Sequence, residues 1–382
     1  MEYLITDTRL GVAEREFALR NSDLEFDFPA EFECRHQILH GGKQEGSEVI
    51  TLRVGELTIS ISPTRGMGVL YAQYAGMRLG WDSPVKEVVN PAYIELGKHG
   101  GAGWLEGFNE LVVRCGFQWA GHPGEDRGEL LTLHGQIQNT PASVVRLSVD
   151  SAPPYRVRLS GRVDERCFKR AEFEVWMHLD ILPGQASFFI SDELINRGSY
   201  EREYQVIYHN NFGAPLLEEW GRVQAPVRQI SPFNQRAQKG LESWESVSAP
   251  TAGFDEEVFN IFPLADSQGD TLALLSNADA SQGVVVRFNL RQLPVLTLWK
   301  NTDTSEQGYV VGIEPGTSFA YNRRYQRDLG LVPLIGAGES RLFNLQFDFL
   351  LNASAVEAAA LEVDTLQAKE AMEVLAAPLV QT

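Results

Sequence analysis

The stretch Leu342-Phe343-Asn344-Leu345-Gln346-Phe347-Asp348-Phe349-Leu350 sets Leu345, Phe347 and Phe349 against Asn344, Gln346 and Asp348. Side chains alternate between the two faces of a strand, so a period of two predicts one buried and one wet face. Working outward, similar runs ended by Gly, Pro, Asn or Asp recur at Val49–Val54 and Glu56–Ile61, which Gly55 separates as in a tight hairpin. They continue at Leu111–Trp119, Ser143–Val149, Arg156–Val163, Glu172–Asp180, Ala186–Asn196 and Glu203–His209. The last are Thr271–Leu275, Val284–Asn289, Val295–Lys300 and Tyr309–Glu314. Helical patterning is confined to Gly11–Leu19 and to the Ala-, Leu- and Glu-rich tail Ala353–Ala376. Strands without intervening helices exclude a doubly wound parallel sheet and predict an all-β protein, a large antiparallel β-sandwich with a C-terminal helical tail. The expected organisation is one domain over 1–350, its first 45 or so residues a lead-in, followed by a helical appendage over 351–382.

Of the 382 residues 43% are hydrophobic, enough for a substantial core, and the formal net charge is −18. Such a charge repels phosphate backbones and anionic lipid surfaces, so neither nucleic acid nor a membrane is an expected partner. Cys34, Cys115 and Cys167 are widely spaced and form no C-x-x-C pair, which fits neither a zinc cluster nor a disulfide framework. With no secretory pattern at the start and no run of about 20 apolar residues, the sequence reads as cytoplasmic.

Among seven histidines, His134 and His209 are each followed by small or amide residues: Leu133-His134-Gly135-Gln136 and Tyr208-His209-Asn210-Asn211. Placed at strand ends, each is either a proton donor and ligand holder over a cleft or a turn-stabilising residue. Glu314 closes an apolar strand before Pro315-Gly316 and is either a base whose pKa burial raises or a carboxylate that accepts turn N–H groups. Arg114, inside Val112-Val113-Arg114-Cys115-Gly116, needs a partner, either a carboxylate such as Glu110 or sugar hydroxyls. Arg65 occupies the turn Ser62-Pro63-Thr64-Arg65-Gly66, and Trp299-Lys300 ends a strand with an aromatic face and a cation. The segment Gly97–Trp104 misses the spacing of nucleotide loops, and its Trp104, with Phe108, reads as a sugar-stacking platform or as lid packing.

An Arg after the early hairpin, a Leu-His-Gly, a strand ending in His-Asn-x-Phe and a late apolar strand ending in Glu follow one another in this order. The order resembles the aldose 1-epimerase (galactose mutarotase) superfamily, from about Val49 to Phe349. Bacterial members are most similar over Gly101–Asn109, Leu133–Ala142 and Gly312–Thr317. The resemblance implies the mutarotase supersandwich and the interconversion of α and β anomers of a free sugar by ring opening and closure. Under it Glu314 takes the anomeric hydroxyl proton, His209 protonates the ring oxygen, and His134 and Arg65 hold the substrate, with no cofactor and no metal. Arg114, Trp104 and Lys300 complete the expected substrate-binding set. The His-Gly-Gly and Asn-His-x-Tyr-Phe-Asn usual in the superfamily stand here as His134-Gly135-Gln136 and Tyr208-His209-Asn210-Asn211-Phe212-Gly213. Its sugar-binding Asp has Glu256 as candidate counterpart and Asp255 as second. Two other readings remain open: a carbohydrate-binding protein without catalysis, and a metal-dependent isomerase with His134, His209 and Glu314 around a divalent ion.

Overall fold

The computed structural model describes residues 1–380, which build two large sheets packed face to face. Among these residues one sheet has 10 strands and the other 13. Pairing within the large sheets is antiparallel, except that Glu373–Val374 lies parallel to Val227–Pro232. The stretch that decided the fold lies in Ser340–Leu350, inside the 10-strand sheet beside Ser187–Asn196. Its Phe347 is opposite Phe188, and the rings stack with centroids 4.5 Å apart in the core between the sheets. The other strands read from alternation all form, to within a few residues.

Several expectations need correction. Gly11–Leu19 is not helical: it contributes Val12–Ala13 and Phe17–Arg20, and Phe17 and Leu19 pair with His36 and Cys34. Sheet pairing overrides a weak local helical preference there. The lead-in segment carries strands of both sheets, with Glu2–Asp7 against Val144–Val149 and Phe32–Ile38 against Glu48–Val54. The tail helix ends at Gln367 rather than Ala376. Asn352 caps its start by accepting from the Ala355 N–H at 3.0 Å, and Val356, Ala359, Val363 and Leu366 seat it on Leu272, Leu274 and Val285. The last two positions of the expected appendage, 381 and 382, lie outside the described residues. No helix among the described residues is long and apolar enough to cross a membrane.

The part of the 13-strand sheet that matters most runs, in spatial order, Glu257–Pro263, Val295–Asn301, Val310–Gly316, Gln205–Phe212 and Val112–Phe117. Alternation gives this sheet two apolar faces. Val206, Tyr208, Val311 and Ile313 point into the core shared with the 10-strand sheet, whereas Ile207 and Val310 join Trp104, Phe108 and Leu133 in a second cluster on the outer face.

Candidate active site

Strand register assembles the site on that outer face. Ile207 lies opposite Gly316 and Asn210 opposite Ile313, which sets His209 across from Glu314; Thr297 is opposite Glu314 on the other side. Side chains directly opposite share a face, so His209, Glu314 and Thr297 form a row. Both His209 and Glu314 sit inside their strands, not at the ends where the sequence reading put them, because pairing continues through Phe212 and through Pro315 and Gly316. The cavity therefore opens over the sheet surface instead of at a sheet rim.

The cavity holds about 330 Å³. Its floor is His209, 6% exposed, and Glu314, 2% exposed, with Thr297 beside them. Aromatic walls surround the imidazole: the ring centroids of Phe108 and Trp299 stand 5.2 and 5.3 Å from that of His209, both edge to face. Trp104 lies 4.9 Å from His134 and 6.3 Å from His209. Leu105, His122 and Pro123 surround the mouth.

His209 Nε2 stands 3.1 Å from Glu314 Oε1, but the approach is not aligned for a hydrogen bond. Glu314 Oε1 and His209 Nδ1 are both buried without a partner, as are Thr297 Oγ1 and Trp104 Nε1. His209 and Glu314 thus touch on one floor, with no sugar-wide gap between them. Gly312 makes their contact possible. It precedes Glu314 by two residues on the same face, and a Cβ there would fall 2.5 Å from Glu314 Oε1 and 3.3 Å from His209 Cε1.

Burial governs the electrostatics. It raises the Glu314 pKa well above the ordinary carboxylate range, with the nearby Glu256 charge pushing the same way. The hydrophobic neighbours responsible are the cavity aromatics; Val311 and Ile313, close by along the strand, face the opposite side of the sheet. Burial lowers the His209 pKa to about 3 and that of His134 well below its usual value, the latter helped by His209 and His122. His134 sits in a turn with φ 57°, not at a strand end, and its Nδ1 accepts the Gly121 N–H at 3.4 Å. That bond assigns the proton of the neutral ring to Nε2, the donor His134 has to offer.

Of the expected residues, the cavity brings together His209, Glu314, His134, Glu256 and Trp104. Glu256 is half-buried and accepts the Trp299 indole N–H at 2.7 Å, while its neighbour Asp255 is exposed. Three expected substrate contacts lie elsewhere. Arg114 points between the sheets, where Nη2 donates to Asp192 Oδ1 at 2.9 Å and Nη1 to the Met67 carbonyl at 2.9 Å. Lys300 also faces inward, 5.0 Å from the Phe259 ring centroid, and its Nζ donates to the Ser246 carbonyl at 3.2 Å. Arg65 is buried behind the cavity wall, its Nε donating to Glu110 Oε1 at 3.0 Å and its Nη2 to the Gly107 carbonyl at 2.9 Å. A Cβ on Gly107 would fall 2.7 Å from Nη2, so this glycine admits the guanidinium beneath the turn that carries Trp104. Glu110, offered as a partner for Arg114, is thus the partner of Arg65.

The sequence reading missed His122 and Thr297. Thr297 was legible, since it shares the strand period with Trp299; His122 lies in the Gly121–Gly124 loop, where no periodicity aims a side chain. Among the described residues no group of three or more His, Cys, Asp or Glu is arranged to hold a metal ion.

Comparison with known proteins gives the family and the fold. Residues 44–349 match the family model described as "Domain of unknown function (DUF4432)". The crystal structure of a "putative aldose 1-epimerase" from Klebsiella pneumoniae is 44% identical, covers 100% of both chains and superposes with a TM-score of 0.98. A galactose mutarotase-like protein from Clostridium acetobutylicum shares the fold at 15% identity and a TM-score of 0.56, over 88% of this chain and 99% of that one. So does galactose 1-epimerase from Lactobacillus acidophilus, at 12% identity and a TM-score of 0.55, over 83% and 98%. No curated protein matches the chain.

Proposed function

Because the chain belongs to the DUF4432 family and has the galactose mutarotase-like fold, we propose that it is an isomerase of the aldose 1-epimerase type, acting on a free sugar in the cavity over His209 and Glu314. One observation carries this reading: a buried imidazole and a buried carboxyl lie 3.1 Å apart, with further polar atoms unpartnered, on the floor of an aromatic-walled cavity. Buried polar groups are normally satisfied, and groups kept unsatisfied in a cavity are available to a ligand.

The side-by-side arrangement suits the reaction. The anomeric hydroxyl and the ring oxygen of a cyclic sugar share one carbon, so a proton removed from the first and one delivered to the second travel to and from neighbouring points. With Glu314 ionised and His209 protonated, Glu314 takes the hydroxyl proton and His209 gives one to the ring oxygen. The C1–O5 bond breaks, the carbonyl forms, and the pair is left as carboxylic acid and neutral imidazole. After rotation about C1–C2 the acid returns a proton to the carbonyl oxygen, the imidazole takes the ring-closing hydroxyl proton, and the opposite anomer forms. The two tautomers of the pair are thus the states before and after opening, and either one can begin the cycle. Burial favours the uncharged tautomer, as the directions of both pKa shifts indicate. Trp104, Phe108 and Trp299 offer faces for sugar C–H groups, and His134 and Glu256 offer a donor and an acceptor for hydroxyls.

Saturation-transfer NMR on a panel of free sugars tests this. Irradiating one anomer is expected to deplete the other in the presence of protein. Binding without transfer would instead make the chain a carbohydrate-binding protein.

A further inference from the structure

We propose that the substrate is a deoxy aldose, a sugar in which at least one hydroxyl of the parent hexose is replaced by hydrogen; this rests on reading the cavity as a sugar site. The cavity floor is polar but much of the remaining surface is not. Ala102, Phe108, Leu133, Val258 and Ala320 line it, in addition to the two tryptophans. Among the described residues, apart from Glu314, the only lining side chain with two oxygens or nitrogens able to grip a vicinal diol at both ends is Glu256, and one of its oxygens already accepts from Trp299. Among the described residues no Arg, Lys, Asn, Gln or Asp lines the cavity, and the guanidinium of Arg65 is held by Glu110 and the Gly107 carbonyl behind the wall.

A fully hydroxylated hexose enclosed here would turn hydroxyls toward aliphatic and aromatic carbon, and a buried hydroxyl without a partner costs affinity. A methyl or methylene at the same position meets that carbon favourably. Val258 lies opposite Trp299 on the cavity face of its strand, 5% exposed, and is one place where such a group would rest.

The experiment compares matched pairs, such as galactose with 6-deoxygalactose, glucose with 2-deoxyglucose and mannose with 6-deoxymannose. Saturation-difference NMR reads binding, and transfer between anomers reads turnover. At least one deoxy sugar is expected to bind about tenfold more tightly than its parent. Val258→Thr, which keeps the shape and adds a hydroxyl, is expected to narrow that ratio. Parents that bind as well as or better than their deoxy partners in every pair would overturn the inference while leaving the isomerase reading in place. A deoxy preference in binding without anomer transfer would sustain the inference and remove the catalytic reading. No binding by any member of the panel would overturn both.

Discussion

The two faces of the 13-strand sheet each bury a charged or titratable constellation, and they treat it in opposite ways. Between the sheets, Asp192 accepts from the Arg114 guanidinium at 2.9 Å and from the Tyr208 hydroxyl at 2.8 Å, and the remaining guanidinium bond goes to the Met67 carbonyl. Across the sheet, one residue along the strand from Tyr208, His209 meets Glu314 with an unpartnered nitrogen and oxygen left over. A buried polar group unpaired in the absence of ligand lowers stability, so a satisfied cluster fits a structural bolt and an unsatisfied one fits a site that awaits a substrate. The lesson is that burial and charge do not separate structure from function; unpartnered polar atoms that converge on one cavity do.

That contrast can be broken first at the proposed reacting pair. Glu314→Gln keeps the shape and removes the proposed base, so anomer transfer is expected to fall by roughly 10²- to 10⁴-fold while the protein stays folded by circular dichroism. Asp192→Ala, on the other face, leaves a buried guanidinium without its partner. The expected result is a loss of about 3–5 kcal/mol in denaturant unfolding, with turnover per folded molecule retained. Gly312→Ala crowds Glu314 Oε1 and His209 Cε1. A displacement of that size is expected to lower turnover by roughly 10²-fold, measured by the same transfer experiment, with little change in stability.

A smaller effect sharpens the comparison through pH. The folded pKa of Glu314 is raised, so its contribution to stability is complete below the ordinary Glu range and is lost as pH rises through the folded value, because the unfolded chain releases the proton first. Glu314→Gln removes that loss. Its melting temperature relative to the parent protein is therefore expected to rise between about pH 5 and pH 8. A difference that does not change with pH would contradict the burial argument.

Much of the fold was legible because strands with one wet face announce themselves, as Leu345, Phe347 and Phe349 do. Two of the strands that escaped notice carry few such signals: Val227–Pro232 and Glu257–Pro263 contain proline, and Asn260 breaks the apolar period. At the site, residue types and chain order were enough to single out His209, Glu314, His134, Glu256 and Trp104. Which face a residue takes was not legible for the cations. Arg114 and Lys300 stand next along their strands to outward-facing positions, and a single step in a strand reverses the face. Arg65 was misread for another reason: its partner Glu110 is 45 residues away, and no local pattern links them.

In the proposed function His209 and Glu314 pass protons to and from one sugar ring. Saturation transfer between the α and β anomers of the best-bound sugar, recorded side by side for the parent protein, Glu314→Gln and His209→Asn, tests it most directly. Transfer is expected with the parent protein, and its near-complete loss in both variants, with the sugar still bound. Undiminished transfer in either variant would contradict it.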